Sequence, residues 1–290
     1  MRNRLICQLE TVLEDATESF QWLIAFVLSG YVTASVAAWG RRRTNYASLC
    51  GNARNLNILL SSLVPLDKSN KELHASRKTL GRWVMLAFEL AMLKARGNMD
   101  SEAGKQYLMS SGLMVKGEWE AMVNGDRHST VFWWISMKVQ RLQVDGYLCA
   151  EYVVRISAAV SSMRAQANDL MSSLDRDKPF PYVAICGLLV NCNLLLMCSW
   201  RSIEWSIWLR TFGGDLLFRS AKMWVDILTL FAWNISYASL YDLGYCLNNP
   251  FLDKRIDVAH ETIFNGVRRL SSALAEGESC LPPDLKYKSD

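Results

Sequence analysis

The spacing of charged residues constrains this chain more than any other feature. Residues 19–40 (SFQWLIAFVLSGYVTASVAAWG) form a window of 22 residues without Asp, Glu, Lys or Arg. Residues 179–200 (PFPYVAICGLLVNCNLLLMCSW) form a second window of the same length. At 1.5 Å rise per residue each would reach about 33 Å as a helix, enough for a hydrocarbon core of roughly 30 Å. A third window, 223–241, carries one carboxylate, Asp226, near its start. Core helices of a water-soluble protein seldom run that long without a charged edge, so the windows predict membrane helices.

The flanks agree. Trp39, Trp200, Trp224, Trp233 and Tyr241 lie at or near window ends, where amphipathic rings favour the bilayer interface. Arg41, Arg42 and Arg43 directly follow the first window, which places that end on the cytoplasmic side by the positive-inside tendency. The segment 201–222 pulls mildly the other way, with Arg201, Arg210, Arg219 and Lys222 against Glu204 and Asp215.

Composition narrows the class. Hydrophobic residues make up 51% of the 290, which excludes a disordered chain. Charged residues still reach 21%, so a substantial aqueous region is expected beside the membrane helices. The net charge of +4 is spread along the chain, unlike the one-sided basic surface of a nucleic-acid binder. The eight cysteines contain no CxxC pair, so no zinc site is expected; Cys186, Cys192 and Cys198 read as small buried hydrophobes inside an apolar run. The first 18 residues are polar, with Glu10, Glu14, Asp15 and Glu18, and show no secretory signal.

Between the windows the periodicity is helical. Leu80, Trp83, Val84, Ala87, Phe88, Ala91 and Met92 recur at three- and four-residue steps, as do Ile156, Ala159, Val160, Met163, Ala167 and Leu170. Turns are expected around Gly112 and at Asn124-Gly125-Asp126. The apolar run 131–137 (VFWWISM) is too short to span and reads as core or as a contact between subunits. A last amphipathic helix passes through Ile263, Val267 and Leu270, and the tail 281–290 reads as disordered.

Three blocks of residues resemble the bestrophin family of pentameric anion channels. The first is Trp39-x-x-x-Arg43-x-x-Tyr46-Ala47 followed by Ala53-Arg54-Asn55-Leu56, similar to the family's W-x-x-x-R-x-x-W-G and S-R-x-L blocks. The second is Arg164-x-Gln166 followed by Pro179-Phe180-Pro181-Tyr182, which resembles the family's entry into a membrane helix. The third is Asn249-Pro250-Phe251 just after the last window, where the family has an N-P-F or D-P-F turn. Together they cover roughly residues 20 to 270, closer to bacterial and plant members than to animal ones. The resemblance implies an all-α integral membrane protein with a cytoplasmic helical bundle, assembled as a pentamer in the lipid bilayer. It also implies a pore neck on the first window at Trp22, Phe26 and Gly30, which helical spacing independently places on one face. Arg41, Arg42 and Arg43 become candidates for a basic pore mouth.

Two departures qualify the resemblance. Family members carry one further membrane helix before the first window, whereas 18 polar residues stand there in this chain; the expectation is an incomplete sequence or a lost helix. Animal members follow the N-P-F turn with a dense acidic clasp for Ca²⁺. Here Lys254 and Arg255 interrupt the acidic remnants Asp253 and Asp257, a poor match for a cation that takes six to eight oxygens. No metal and no cofactor is therefore expected.

The expected organisation is a polar segment (1–18), a pore helix (19–40), a cytoplasmic helical region (41–178), two membrane helices with their loop (179–241), a C-terminal cytoplasmic helix (242–275) and a tail (276–290). The expected activity is passive conduction of chloride, with bicarbonate as a further anion, in the plasma membrane or an organelle membrane such as the thylakoid. The alternatives are a non-conducting helical membrane scaffold and a soluble helical interaction protein. An enzyme is not expected: GxSxG, HExxH and phosphate-cradling glycine loops are absent. His74, His128 and His260 stand in polar, charge-mixed surroundings and read as surface or structural. Glu89 is the one carboxylate inside an apolar helical pattern, expected either to face the aqueous side or to pair with Arg82, Lys94 or Arg96.

Overall fold

The computed structural model describes residues 2–67, 69–175, 180–211, 216–247, 249–251 and 258–277. Among these residues every regular element is helical. In chain order they are α1 (Arg2–Leu63), α2 (Lys71–Ala95), α3 (Glu102–Ser110), α4 (Glu118–Ala121), α5 (Arg127–Val144), α6 (Ala150–Asp175), α7 (Phe180–Thr211), α8 (Leu216–Cys246) and α9 (His260–Glu276). Two compact units share them: one drawn from Met1–Trp39 and Asp177–Asn248, the other from Gly40–Arg176 and Asn249–Asp290.

α1 departs from the expected organisation. The polar segment, the first window and the arginine triplet all lie in this one 62-residue helix. Charged side chains do not stop a helix; proline does, and the first proline is Pro65, just past its end.

The second unit is a bundle built around α2. The Asn70 side chain caps this helix by accepting the Leu73 N–H at 3.1 Å, with Glu72 in the first turn and Lys94 in the last. Every residue from Val84 to Leu93 is buried, because α5, α6 and α9 all pack against it. The periodic positions 156, 160, 163, 167 and 170 of α6 face the same core, as do Phe264 and Val267 of α9. Each fully buried Leu or Phe here contributes roughly 1.5–3 kcal/mol. Left-handed Gly112 and Gly125 form the turns before α4 and α5. The apolar run 131–137 divides between two faces of α5. Val131, Phe132 and Ile135 enter the core, Trp134 packs on Trp83, and Trp133 and Met137 stay exposed.

The first unit has a small core and a large apolar surface. Ile24, Leu28 and Tyr31 of α1 pack with Cys186 and Val190 of α7 and Tyr237 of α8. Tyr31 stacks on Tyr241 with ring centroids 5.9 Å apart, and it lies so close to α8 that a Cβ on Gly244 would overlap its ring. Only glycine admits that approach. Leu188, Leu195, Trp224, Leu228 and Phe231 point outward. The stretches Thr11–Leu63 of α1 and Tyr182–Ile207 of α7 are long and apolar enough to cross a membrane, and only 22% of each apolar window is buried. A soluble core helix would be mostly buried, so burial within this chain does not explain these windows. The third window lies in α8 and holds two polar side chains, Asp226 and Asn234. Asp226 accepts the indole N–H of Trp205 at 3.0 Å, and Asn234 donates to the Leu230 carbonyl. Cys198 is exposed, unlike Cys186, so the reading of all three cysteines as buried holds only in part.

Candidate functional site

The expected neck positions lie on α1 within the first unit. Residues four apart stack along one helix face, and here that face is opposite the packed one. Trp22 is 74% and Phe26 80% exposed, while Ile24 and Leu28 between them are buried. Gly30 continues the exposed face; a Cβ there would meet only the Tyr182 hydroxyl, at 3.8 Å. Two large aromatic side chains on an unpartnered face need a cover other than water.

The arginine triplet separates into two kinds of residue. Arg41 and Arg43 are exposed on α1. Arg42 is 2% exposed, and its Nε donates to the Ser173 carbonyl at the end of α6 at 3.1 Å. This removes Arg42 from the mouth candidates and makes it a buried tie within the bundle. Helical geometry gives the reason: position 42 shares the packed face with Tyr46 and Leu49. Trp39 is half-buried, and Arg54 is exposed one turn from Cys50. Burial pushes the Cys50 thiol pKa up, with Arg54 opposing.

The turn after α8 is a specific structure. The Asn249 side chain accepts the Phe251 N–H at 3.1 Å, an Asx turn, and donates to the Ala95 carbonyl at the end of α2 at 3.0 Å. Arg96 Nε donates to the Phe251 carbonyl, and the fully buried Phe251 ring lies against Tyr46. Asn249, Pro250 and Phe251 thus anchor the start of the returning chain to α1 and α2. Of the remaining motif positions, Tyr182 packs against Tyr31 at 6.2 Å, and Pro181 lies in α7. Pro179 and the acidic remnants Asp253 and Asp257 lie outside the described residues.

Beside that turn is a polar node that residue spacing did not disclose. Glu89 of α2 is completely buried, and its Oε2 lies 2.8 Å from Nε2 of His260 on α9. Nδ1 of His260 lies 2.9 Å from the Tyr46 hydroxyl of α1. One proton on the ring satisfies both bonds: Tyr46 O–H donates to Nδ1, and Nε2–H donates to the carboxylate. Burial holds the Tyr46 phenol well above its ordinary pKa, which keeps its proton available for this bond. Burial and the Glu89 carboxylate push Tyr107 of α3 up to about 12. The expected cation partners of Glu89 are engaged elsewhere: Arg82 makes a two-pronged contact with Glu118, at 2.7 Å on each prong. His128 is also buried, so two of the three histidines belong to the interior rather than to polar surroundings. The only advance signal for the node was a carboxylate inside an otherwise apolar α2; its partner lies 171 residues away.

The fold matches solved structures over most of its length. A crystal structure of a bacterial bestrophin homologue from Klebsiella pneumoniae aligns with TM-score 0.69 over 90% of this chain and 87% of that one, at 13% identity. The fold is bestrophin-like. A point variant of the same bestrophin homologue aligns with TM-score 0.68 at 13% identity, over 90% of this chain and 85% of that one. A variant described only as a membrane protein gives TM-score 0.68 at 13% identity, over 90% and 87%. No family model and no curated protein matches the sequence. The bestrophin likeness therefore shows the architecture, an all-α chain, while its chemistry rests on the residues above.

Proposed function

We propose that this protein is a bestrophin-type anion channel that passes chloride, and bicarbonate, down their gradients through a pentameric pore in a lipid bilayer. The observation that carries the reading is the exposed Trp22–Phe26 face of α1, in a helix whose apolar window is mostly unburied. Five copies placing that face toward a common axis would cover it and form an apolar neck. Such a neck gates by dewetting. The positive edges of the Trp22 and Phe26 rings can face a passing anion, while the carbonyl-free apolar wall offers a cation no replacement for its hydration shell. Gly30, which adds no side chain to this face, would make the neck shorter or wider at its inner end. Arg41 and Arg43 raise the local anion concentration near that end. The outward Leu188, Leu195, Leu228 and Phe231 face lipid in this reading, and the Gly40–Arg176 bundle is the aqueous part.

The test is purification in mild detergent with mass measurement, followed by flux in liposomes. A particle near five times 32.9 kDa that releases chloride, and not potassium, supports the channel. A monodisperse monomer, or an oligomer that leaves the chloride gradient intact, refutes it.

A further inference from the structure

The bundle contains a polar cavity that the channel reading does not use. It has a volume of about 210 Å³ and lies between α2, the turn at 111–113 and α9. Lys78 and Arg82 of α2 and Arg268 of α9 line it, opposed by one carboxylate, Glu276. Gly81 forms part of the floor: a side chain there would close on Ser271 Oγ, 3.2 Å from its Cβ position. A glycine in the middle of a buried helix costs roughly 1 kcal/mol relative to alanine, and the close approach of α9 to α2 at this point accounts for it.

The three cations are not equivalent. Arg82 is neutralised by Glu118, which also accepts the Trp83 indole N–H at 2.8 Å and the Val115 N–H at 2.8 Å. This ion pair forms a rigid wall. Arg268 gives one N–H to the Ser111 carbonyl at 2.6 Å, and a guanidinium has further donors in its fixed fork. Lys78 is exposed and has no hydrogen bond or ion pair among the described residues. With Arg82 balanced, Lys78 and Arg268 outweigh Glu276, so the lining carries excess positive charge. Met85, Leu113 and Ala275 supply an apolar side.

We propose that this cavity binds a small organic oxyanion, a phosphate- or carboxylate-bearing metabolite whose anionic group lies between Lys78 and Arg268. At about 30 Å³ per water molecule the volume exceeds what a bare phosphate fills, which leaves room for a short carbon skeleton against Met85 and Leu113. Bound there, the ligand joins α9 to α2 and strengthens the docking of the C-terminal helix. The proposal does not depend on conduction.

The experiment is isothermal titration of the full chain in detergent at low salt, with inorganic phosphate and malonate as probes and chloride as the control for general ionic effects. Saturable binding of phosphate or malonate, with greater protection of α9 amides in hydrogen exchange, is expected; whichever probe binds more tightly assigns the headgroup. Lys78→Ala removes an exposed cation with no described partner and should weaken binding about tenfold, the usual loss of one charge-assisted contact. Arg268→Lys keeps the charge and should weaken it less than Arg268→Gln. Glu276→Gln removes the opposing carboxylate and should tighten binding a few-fold. A merely structural role for these side chains would not produce opposite signs at Lys78 and Glu276. Failure of both probes to bind, or equal affinity in Lys78→Ala, Glu276→Gln and the unaltered chain, overturns the proposal.

Discussion

The two units of this protein apply one set of side chains to two different problems. In the bundle, large apolar residues of α2 converge on a core, most charges stay outside, and the few that are buried, such as Glu89 and Arg42, are held by hydrogen bonds. In the unit built from α1, α7 and α8, the order is reversed. Leu228 and Phe231 stand outward, whereas Tyr31 and Asn193 are buried. Water rewards the first arrangement. The second is stable only where the surroundings are themselves apolar, because lipid gives leucine no reason to hide and helix contacts then rely on close fit and polar groups. The Tyr31–Gly244 approach is such a fit.

Removing apolar volume separates the two regimes most strongly. Leu86→Ala in the bundle should cost about 2–5 kcal/mol through cavity formation. Leu228→Ala, at a residue 62% exposed, should fall within about 0.5 kcal/mol. Denaturant titration in detergent reads both. Equal losses would erase the distinction between the units.

The buried node should give the next effect. Glu89→Ala leaves His260 without its carboxylate and should cost about 1–3 kcal/mol, the penalty for a buried group that loses its partner. Tyr46→Phe should cost less, and the double variant less than the sum, because His260 couples the two. Strict additivity would deny the coupling.

A smaller effect should appear with acid. Burial raises the Glu118 pKa, but the hydrogen bonds from Arg82, Trp83 and Val115 outweigh it and hold the carboxyl below its ordinary 4.5. A depressed carboxyl stabilises the fold above its unfolded pKa, and that contribution disappears as pH falls through the folded value. Stability of the bundle should therefore drop below about pH 4.5, and Glu118→Gln should flatten the drop while lowering stability at neutral pH. An unchanged slope in that variant would detach Glu118 from the acid transition. The smallest expected effect is that of calcium. With Lys254 and Arg255 between Asp253 and Asp257, micromolar Ca²⁺ should leave chloride flux unaltered, and so should Asp253→Ala. A steep rise with Ca²⁺ would restore a clasp.

The same contrast explains what could be read from the chain. The helices of the bundle were visible because water enforces a 3.6-residue period, as at 156, 160, 163, 167 and 170 of α6. The windows of α1 and α7 were visible through missing charges, but α7 is apolar on all sides, so its packed face could not be read from periodicity. The arginine triplet looked like a boundary, yet α1 continues through it and turns Arg42 inward. The partnership of Glu89 with His260 joins helices far apart in sequence, and local spacing carries no trace of it. That Trp22 and Phe26 share one face followed from spacing, because one helix settles which residues lie together; that the face is exposed did not.

The most direct measurement is a bilayer recording of the protein with and without the Trp22 and Phe26 side chains. If Trp22 and Phe26 form an apolar constriction, the unaltered protein should pass chloride in preference to potassium. The double variant Trp22→Ala/Phe26→Ala should then stay open for a larger fraction of the time, because a wider neck stays wet. Identical gating and selectivity in the two proteins, or no anion current in either, would contradict the account.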